Sequence, residues 1–180
     1  MNTSAICKRF SSSVVLFVFV GAYLLTSYVM GLITNPITFD DFINVELSFN
    51  SQDAIAYYTD WAQRGIMSKY FWGLVWDFVY MIAYGGLLLS VLSFWICKTS
   101  WKEFTKKVYL SLPVIAVIFD VLENVMEFVI LAKFPQNVEG LVKISTTFSL
   151  IKWIFVGLSI FAVVLLGIRY IFVYLFGKKS

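Results

Sequence analysis

Four long apolar runs dominate this chain and leave few folds open to it. They cover about residues 10–34, 70–97, 108–134 and 144–176. Each exceeds the roughly 20 residues that a tilted helix needs to cross the hydrocarbon of a bilayer. Strands do not explain runs of this length, because a barrel needs many shorter, alternating segments. Of the 180 residues, 60% are hydrophobic and 14% charged, with 18 Phe, 10 Tyr and 6 Trp. A soluble domain is typically nearer half apolar and a quarter charged. The reading is therefore all-α: a polytopic membrane protein with four transmembrane helices in a bundle, one membrane domain over 1–180. The first run is too long for the apolar segment of a cleaved signal peptide, and no small-residue cleavage pattern follows it. It reads as an uncleaved signal anchor.

Basic residues set the expected direction of insertion. Lys8 and Arg9 precede the first run, and Lys98, Lys102, Lys106 and Lys107 lie between the second and third. Arg169, Lys178 and Lys179 fall near the end of the fourth. The opposite side has only Arg64, Lys69, Lys133 and Lys143, and carries Asp40, Asp41, Glu46, Asp53 and Asp60. Both termini are thus expected in the cytoplasm, in a bacterial inner membrane. The net charge of +3 is not gathered into a basic stripe, so no nucleic-acid partner is expected.

The segment 35–69 is the one sizeable outer loop. Asn35-Pro36 signals a turn. Ser51 is placed to cap a short helix over about 52–64, which Gly65 would end. Ala54, Ile55, Tyr58, Trp61 and Ala62 fall on one face of it. Such a helix lies on the outer membrane surface or across the bundle mouth, as an amphipathic connector or as a lid.

Several chemistries are excluded at once. The chain has no histidine, which removes serine–histidine triads and histidine proton relays. Its two cysteines, Cys7 and Cys97, have no metal-like or C-x-x-C spacing and read as inert thiols in preference to a redox pair. No metal site and no cofactor are expected.

The third run, PVIAVIFDVLENVMEFVIL, holds the sharpest clue. Asp120, Glu123, Asn124 and Glu127 stand at i, i+3, i+4 and i+7, on one helical face. Three acids and an amide on one stripe cannot face lipid, where each charge costs several kcal/mol. The stripe must turn inward. Flanking lysines place Asp120 near mid-bilayer, with Glu123 about 4–5 Å and Glu127 about 10 Å further out. Asp77 in the second run and Lys152 in the fourth fall at about the level of Glu127.

Together these residues outline a polar pocket, open to the outside and ending near the midplane. Four carboxylates face one lysine. Protonation, a bound cation or water would relieve that imbalance. Acids in such surroundings are also what acid–base chemistry or proton coupling employs. Bland roles stand beside these. Lys152 and Glu127 are long enough to snorkel to the headgroups, and Asp77 and Asn124 are suited to inter-helix hydrogen bonds. Tyr80, Tyr84, Ser145, Thr146, Thr147 and Ser149 are placed to complete the wall. Trp76 and Trp153 read as packing aromatics. Gly85-Gly86, Gly157 and Gly167 read as close-contact points between helices, and Pro113 as a residue of the first turns of its helix.

The Gly65 and Tyr70 junction, Asp77, the D-x-x-E-N of Asp120, Glu123 and Asn124, and Thr147 with Lys152-Trp153 resemble a family of prokaryotic four-helix membrane proteins. The resemblance spans about 50–155 and implies the four-helix fold but no activity. Sterol-isomerase-like bundles also hold acids in a ligand cavity, but their aromatic and proline signatures are missing here. Three functions fit these readings. One is a cavity that binds, or acts on, a lipid-like or cationic amphipathic ligand through Asp77, Asp120, Glu123, Asn124, Glu127 and Lys152. A second is an accessory protein whose polar residues only brace the bundle. A third is ion-coupled transport, which with four helices and no inverted repeat would require a homo-oligomer.

Overall fold

The computed structural model describes residues 3–97 and 101–176, with side chains as far as 172. Among them lie seven helices and no strand. These are α1 (Thr3–Phe10), α2 (Ser13–Thr34), α3 (Phe39–Glu46), α4 (Ser51–Gln63), α5 (Met67–Ile96), α6 (Glu103–Lys133) and α7 (Glu139–Phe176). Lys98, Lys178 and Lys179, which entered the orientation argument, lie outside the described residues.

The apolar runs correspond to α2, α5, α6 and α7. Three of them, α2, α5 and α7, are long and apolar enough to cross a membrane. α6 is as long, at 31 residues, but carries Asp120, Glu123 and Glu127 in its second half. Length and composition thus support three spans where four were expected. α5, α6 and α7 each begin several residues before the apolar run, because a polar first turn extends a helix past the hydrocarbon edge. Pro113 therefore sits ten residues beyond Glu103, inside α6 and buried, rather than in its first turns.

The outer loop holds two helices, not one. Thr38 starts α3 with a capping box: its hydroxyl accepts from the Asp41 N–H, and Asp41 accepts from the Thr38 N–H at 2.8 Å. α4 is capped by Asn50, whose side chain accepts from the Gln52 N–H, rather than by Ser51. Gly65, at φ +69°, ends α4 in the left-handed region that favours glycine. Ala54, Tyr58 and Trp61 of α4 are buried as the pattern required, whereas Ala62 is exposed.

α6 packs along α7, and α5 lies against α2, α6 and α7. α2 rests on α5 and makes no comparable contact with α6 or α7. Gly85 faces Val117 and Gly86 faces the Phe19 ring, each so closely that a Cβ would collide. Gly157 and Gly167 instead meet open space, so they are not close-contact points. At the basic end α1 folds across the bundle. Thr3 donates to Glu103 at 2.7 Å, and Cys7 is joined to Cys97 by a disulfide. The inert-thiol reading is corrected there: 90 residues separate the two, and only the return of α5 to α1 brings them together.

Two apolar clusters bracket the bundle. Leu92, Ile96, Leu110, Ala162 and Leu166 form one towards the basic end. Tyr58, Trp61, Tyr70, Ile130, Val138 and Val142 anchor the other under α4. The polar side chains lie between them.

Candidate functional site

The stripe on α6 is buried throughout: Asp120, Glu123, Asn124 and Glu127 are each under 5% exposed. Helical period alone placed them on one face; α5 and α7 then close over that face. Asp120 and Glu123 share one partner, and Asn124 and Glu127 each have their own.

Asp120 and Glu123 meet Lys152 of α7. The ammonium lies 2.7 Å from Glu123 Oε2, 3.3 Å from Asp120 Oδ1 and 2.7 Å from Oε2 of Glu46. Tyr84 of α5 donates to Asp120 Oδ2 at 2.6 Å, and the Trp153 indole N–H donates to Glu46 at 2.8 Å. Lys152 does not snorkel: its side chain is 7% exposed and points towards the acids below it. It meets Asp120 and Glu123 rather than the level of Glu127, because its long stem runs inward along α7. Trp153 is more than packing, since it holds Glu46.

Glu127 does not snorkel either. Tyr58 and Tyr70 donate to its Oε2 at 2.7 and 2.8 Å, and Ser145 donates to its Oε1 at 2.6 Å. Burial, and then the neighbouring Glu127, hold the Tyr58 phenol well above the ordinary tyrosine range, so it remains a donor. This carboxylate ties α4, α5 and α7 to α6 at one point. Asp77 pairs with Asn124, whose amide donates to Oδ2 at 2.7 Å.

All six sequence-selected residues line a single cavity of about 970 Å³. That is the upper end of the usual range for small-molecule pockets. Five carboxylates and one lysine line it, Glu46 being the fifth acid, a formal excess of four negative charges if all are ionised. Tyr80 and Tyr84 stand in its wall. Of the other polar neighbours, Ser145 serves Glu127, Thr146 donates to the Ser48 carbonyl, and Thr147 turns away to bond its own helix. Trp76 donates to the Thr26 carbonyl and ties α5 to α2.

The cavity opens in more than one direction. Phe39, Phe42 and Glu46 of α3 stand over the outer end. The exposed lining residues are Gly31, Asn35, Pro36, Thr38 and Phe39 around the end of α2 and the start of α3, and Ile160 of α7, so the cavity reaches the surface at the α3 end and also along the gap between α2 and α7. That gap exists because α2 packs on α5 alone.

Glu46, Tyr58 and Tyr70 were missed by sequence reasoning, and for Glu46 the signals were there to be read. The Thr38-x-x-Asp41 capping pattern opens a helix, and Phe42, Val45 and Glu46 then share a face. Tyr58 and Tyr70 left no comparable signal, since a tyrosine on an apolar face is ordinarily packing. Among the described residues no three His, Cys, Asp or Glu side chains converge as they would on a metal ion. The arrangement can neutralise a cation, hold an amphipathic molecule against an apolar wall, or lock helices together. Compared with protein-family models, curated proteins and solved structures, the chain matches none of them.

Proposed function

We propose that this is a multi-pass membrane protein whose cavity binds an amphipathic small molecule entering sideways from the outer leaflet. The observation that carries the reading is one cavity of about 970 Å³ with charged groups in its depth and an apolar gap along its flank. Charges hidden at bilayer depth are costly, and in membrane proteins they mark ligand or ion paths by default. A pocket reached through a gap between two lipid-facing helices suits a ligand that already resides in the membrane.

In this reading α6 is the fourth span. Its acids are compatible with crossing the bilayer because they face the cavity and α7, not lipid. The α3–α4 end is the outer one and the basic end faces the cytoplasm, as the lysine distribution asks. The Cys7–Cys97 bond stands at that basic end, where a reducing cytoplasm opens such bonds. The two features make opposed demands, and the redox state of Cys7 and Cys97 in intact cells decides between them.

A second reading has its own support. Lys152 satisfies three acids and Glu127 is satisfied by three hydroxyls, which is what a purely bracing network needs. Gly31 separates the two. It lines the cavity, and a Cβ there meets nothing within 4 Å. Gly31→Leu is expected to fill the mouth without disturbing the bundle. Native mass spectrometry of protein extracted in mild detergent should find an amphiphile bound to the parent chain and lost from Gly31→Leu, at unchanged thermal stability. A parent chain that carries no such species leaves bracing as the function of these residues.

A further inference from the structure

The charges around the cavity are not equally provided for. Lys152 is shared by Glu46, Asp120 and Glu123, Asp120 also accepts from Tyr84, and Glu127 accepts from three hydroxyls. Among the described residues, Asp77 is the cavity carboxylate with neither a cation nor a hydroxyl partner; its one donor is the neutral amide of Asn124. It is also set beside aromatic rings. Asp77, Tyr80 and Tyr84 follow at i, i+3 and i+7 along α5, and Tyr23 of α2 faces Tyr80 with ring centroids 5.7 Å apart. A carboxylate with a cluster of tyrosine rings on the next turns of its helix is suited to receive an ammonium group, by ion pairing and by cation–π attraction. Further along the helices the wall turns apolar, with Leu87 and Leu88 of α5 and Val156 and Ile160 of α7.

We propose that Asp77 is the docking point for the ammonium head of a long-chain amphiphile that carries net positive charge and no phosphate, its chain lying along the apolar wall. This inference deepens the function proposed above and rests on it. A phosphate head is disfavoured on the same grounds. It would meet five carboxylates, no arginine, and a single lysine already held by three acids.

The test uses the full chain in phosphatidylcholine nanodiscs, with native mass spectrometry to count bound probe. Four probes are compared: dodecylamine, dodecanol, dodecyl phosphate and butylamine. Dodecylamine is expected to bind at least about tenfold more tightly than the other three, the low end of what a desolvated ion pair contributes. Asp77→Asn, which keeps a side chain able to bond Asn124, should bring dodecylamine down to the level of dodecanol while dodecanol itself binds as before. Equal binding of amine and alcohol overturns the ammonium inference and leaves the amphiphile cavity standing. Equal binding of butylamine and dodecylamine overturns the membrane source and makes the ligand an aqueous cation. Amine binding that survives Asp77→Asn moves the docking point elsewhere and overturns the assignment. Binding of none of the four overturns both this inference and the function beneath it.

Discussion

The two halves of the bundle are built from the same helices and solve opposite problems. Towards the basic end α5, α6 and α7 close on Leu92, Ile96, Leu110, Ala162 and Leu166, and a covalent bond from Cys7 to Cys97 clasps α1 to them. Towards the acidic end the same three helices, with α2, stand apart around a cavity, and ion pairs and hydrogen bonds take over the work of contact. Glycine marks part of the difference. Gly86 lets the Phe19 ring of α2 press onto α5, while further out Gly31 faces only space. Apolar packing needs no particular partner, so the dry half tolerates imprecision. The polar half does not, because each buried charge must find its own counterpart.

That contrast can be broken at three places, taken in order of expected effect. Lys152→Met removes the one ammonium from among Glu46, Asp120 and Glu123. A buried pair broken on one side costs about 3–5 kcal/mol, so a large fall in thermal stability in detergent is expected. A loss under about 1 kcal/mol would mean that these acids do not depend on Lys152, and the polar half would have to be held otherwise.

Cys7→Ser addresses the clasp of the dry half. A disulfide typically stabilises by about 2–4 kcal/mol. The variant should lose that amount relative to the oxidised parent and nothing relative to the reduced parent. The same measurement reads orientation. Acid-quenched cells in which both thiols are free place the basic end in a reducing compartment. A bond already present in them turns the protein over, with its lysines outside.

Gly86→Ala has the smallest effect of the three. Its methyl group falls on the Phe19 ring, and overpacking of this kind costs about 1–3 kcal/mol. Gly157→Ala, in open space on α7, is the matched control and should leave stability equal or slightly raised. If both substitutions are silent, α2 is held less closely than its contact with α5 implies, and the gap beside the cavity is wider than described.

Much of the polar half was legible beforehand, and for a definite reason. Asp120, Glu123, Asn124 and Glu127 belong to one helix, so the helical period alone puts them on a common face, and the cost of exposing charge to lipid turns that face inward. The inward-facing positions of Asp77 and Lys152, both in the cavity wall, follow from the same cost applied to α5 and α7. What could not be read is which acid meets which donor. Glu46 was assigned to an outer loop because α3 is short and its neighbours are acidic, yet α3 carries it to Lys152 and Trp153. Tyr58 and Tyr70 were indistinguishable from packing residues until Glu127 was found between them.

The chain by itself determined its long helices, its bilayer-length apolar runs and the inward turn of the α6 stripe. These follow from local periodicity and from transfer energies that act residue by residue. The tertiary structure alone decided the pairings: Cys7 with Cys97, Lys152 with three acids, and Asp77 with only an amide. It also decided that α2 stands off α7 and leaves a mouth. Contacts of that kind join residues up to 107 positions apart, and their identity depends on how helices rotate and tilt against one another, which no local property of the sequence encodes.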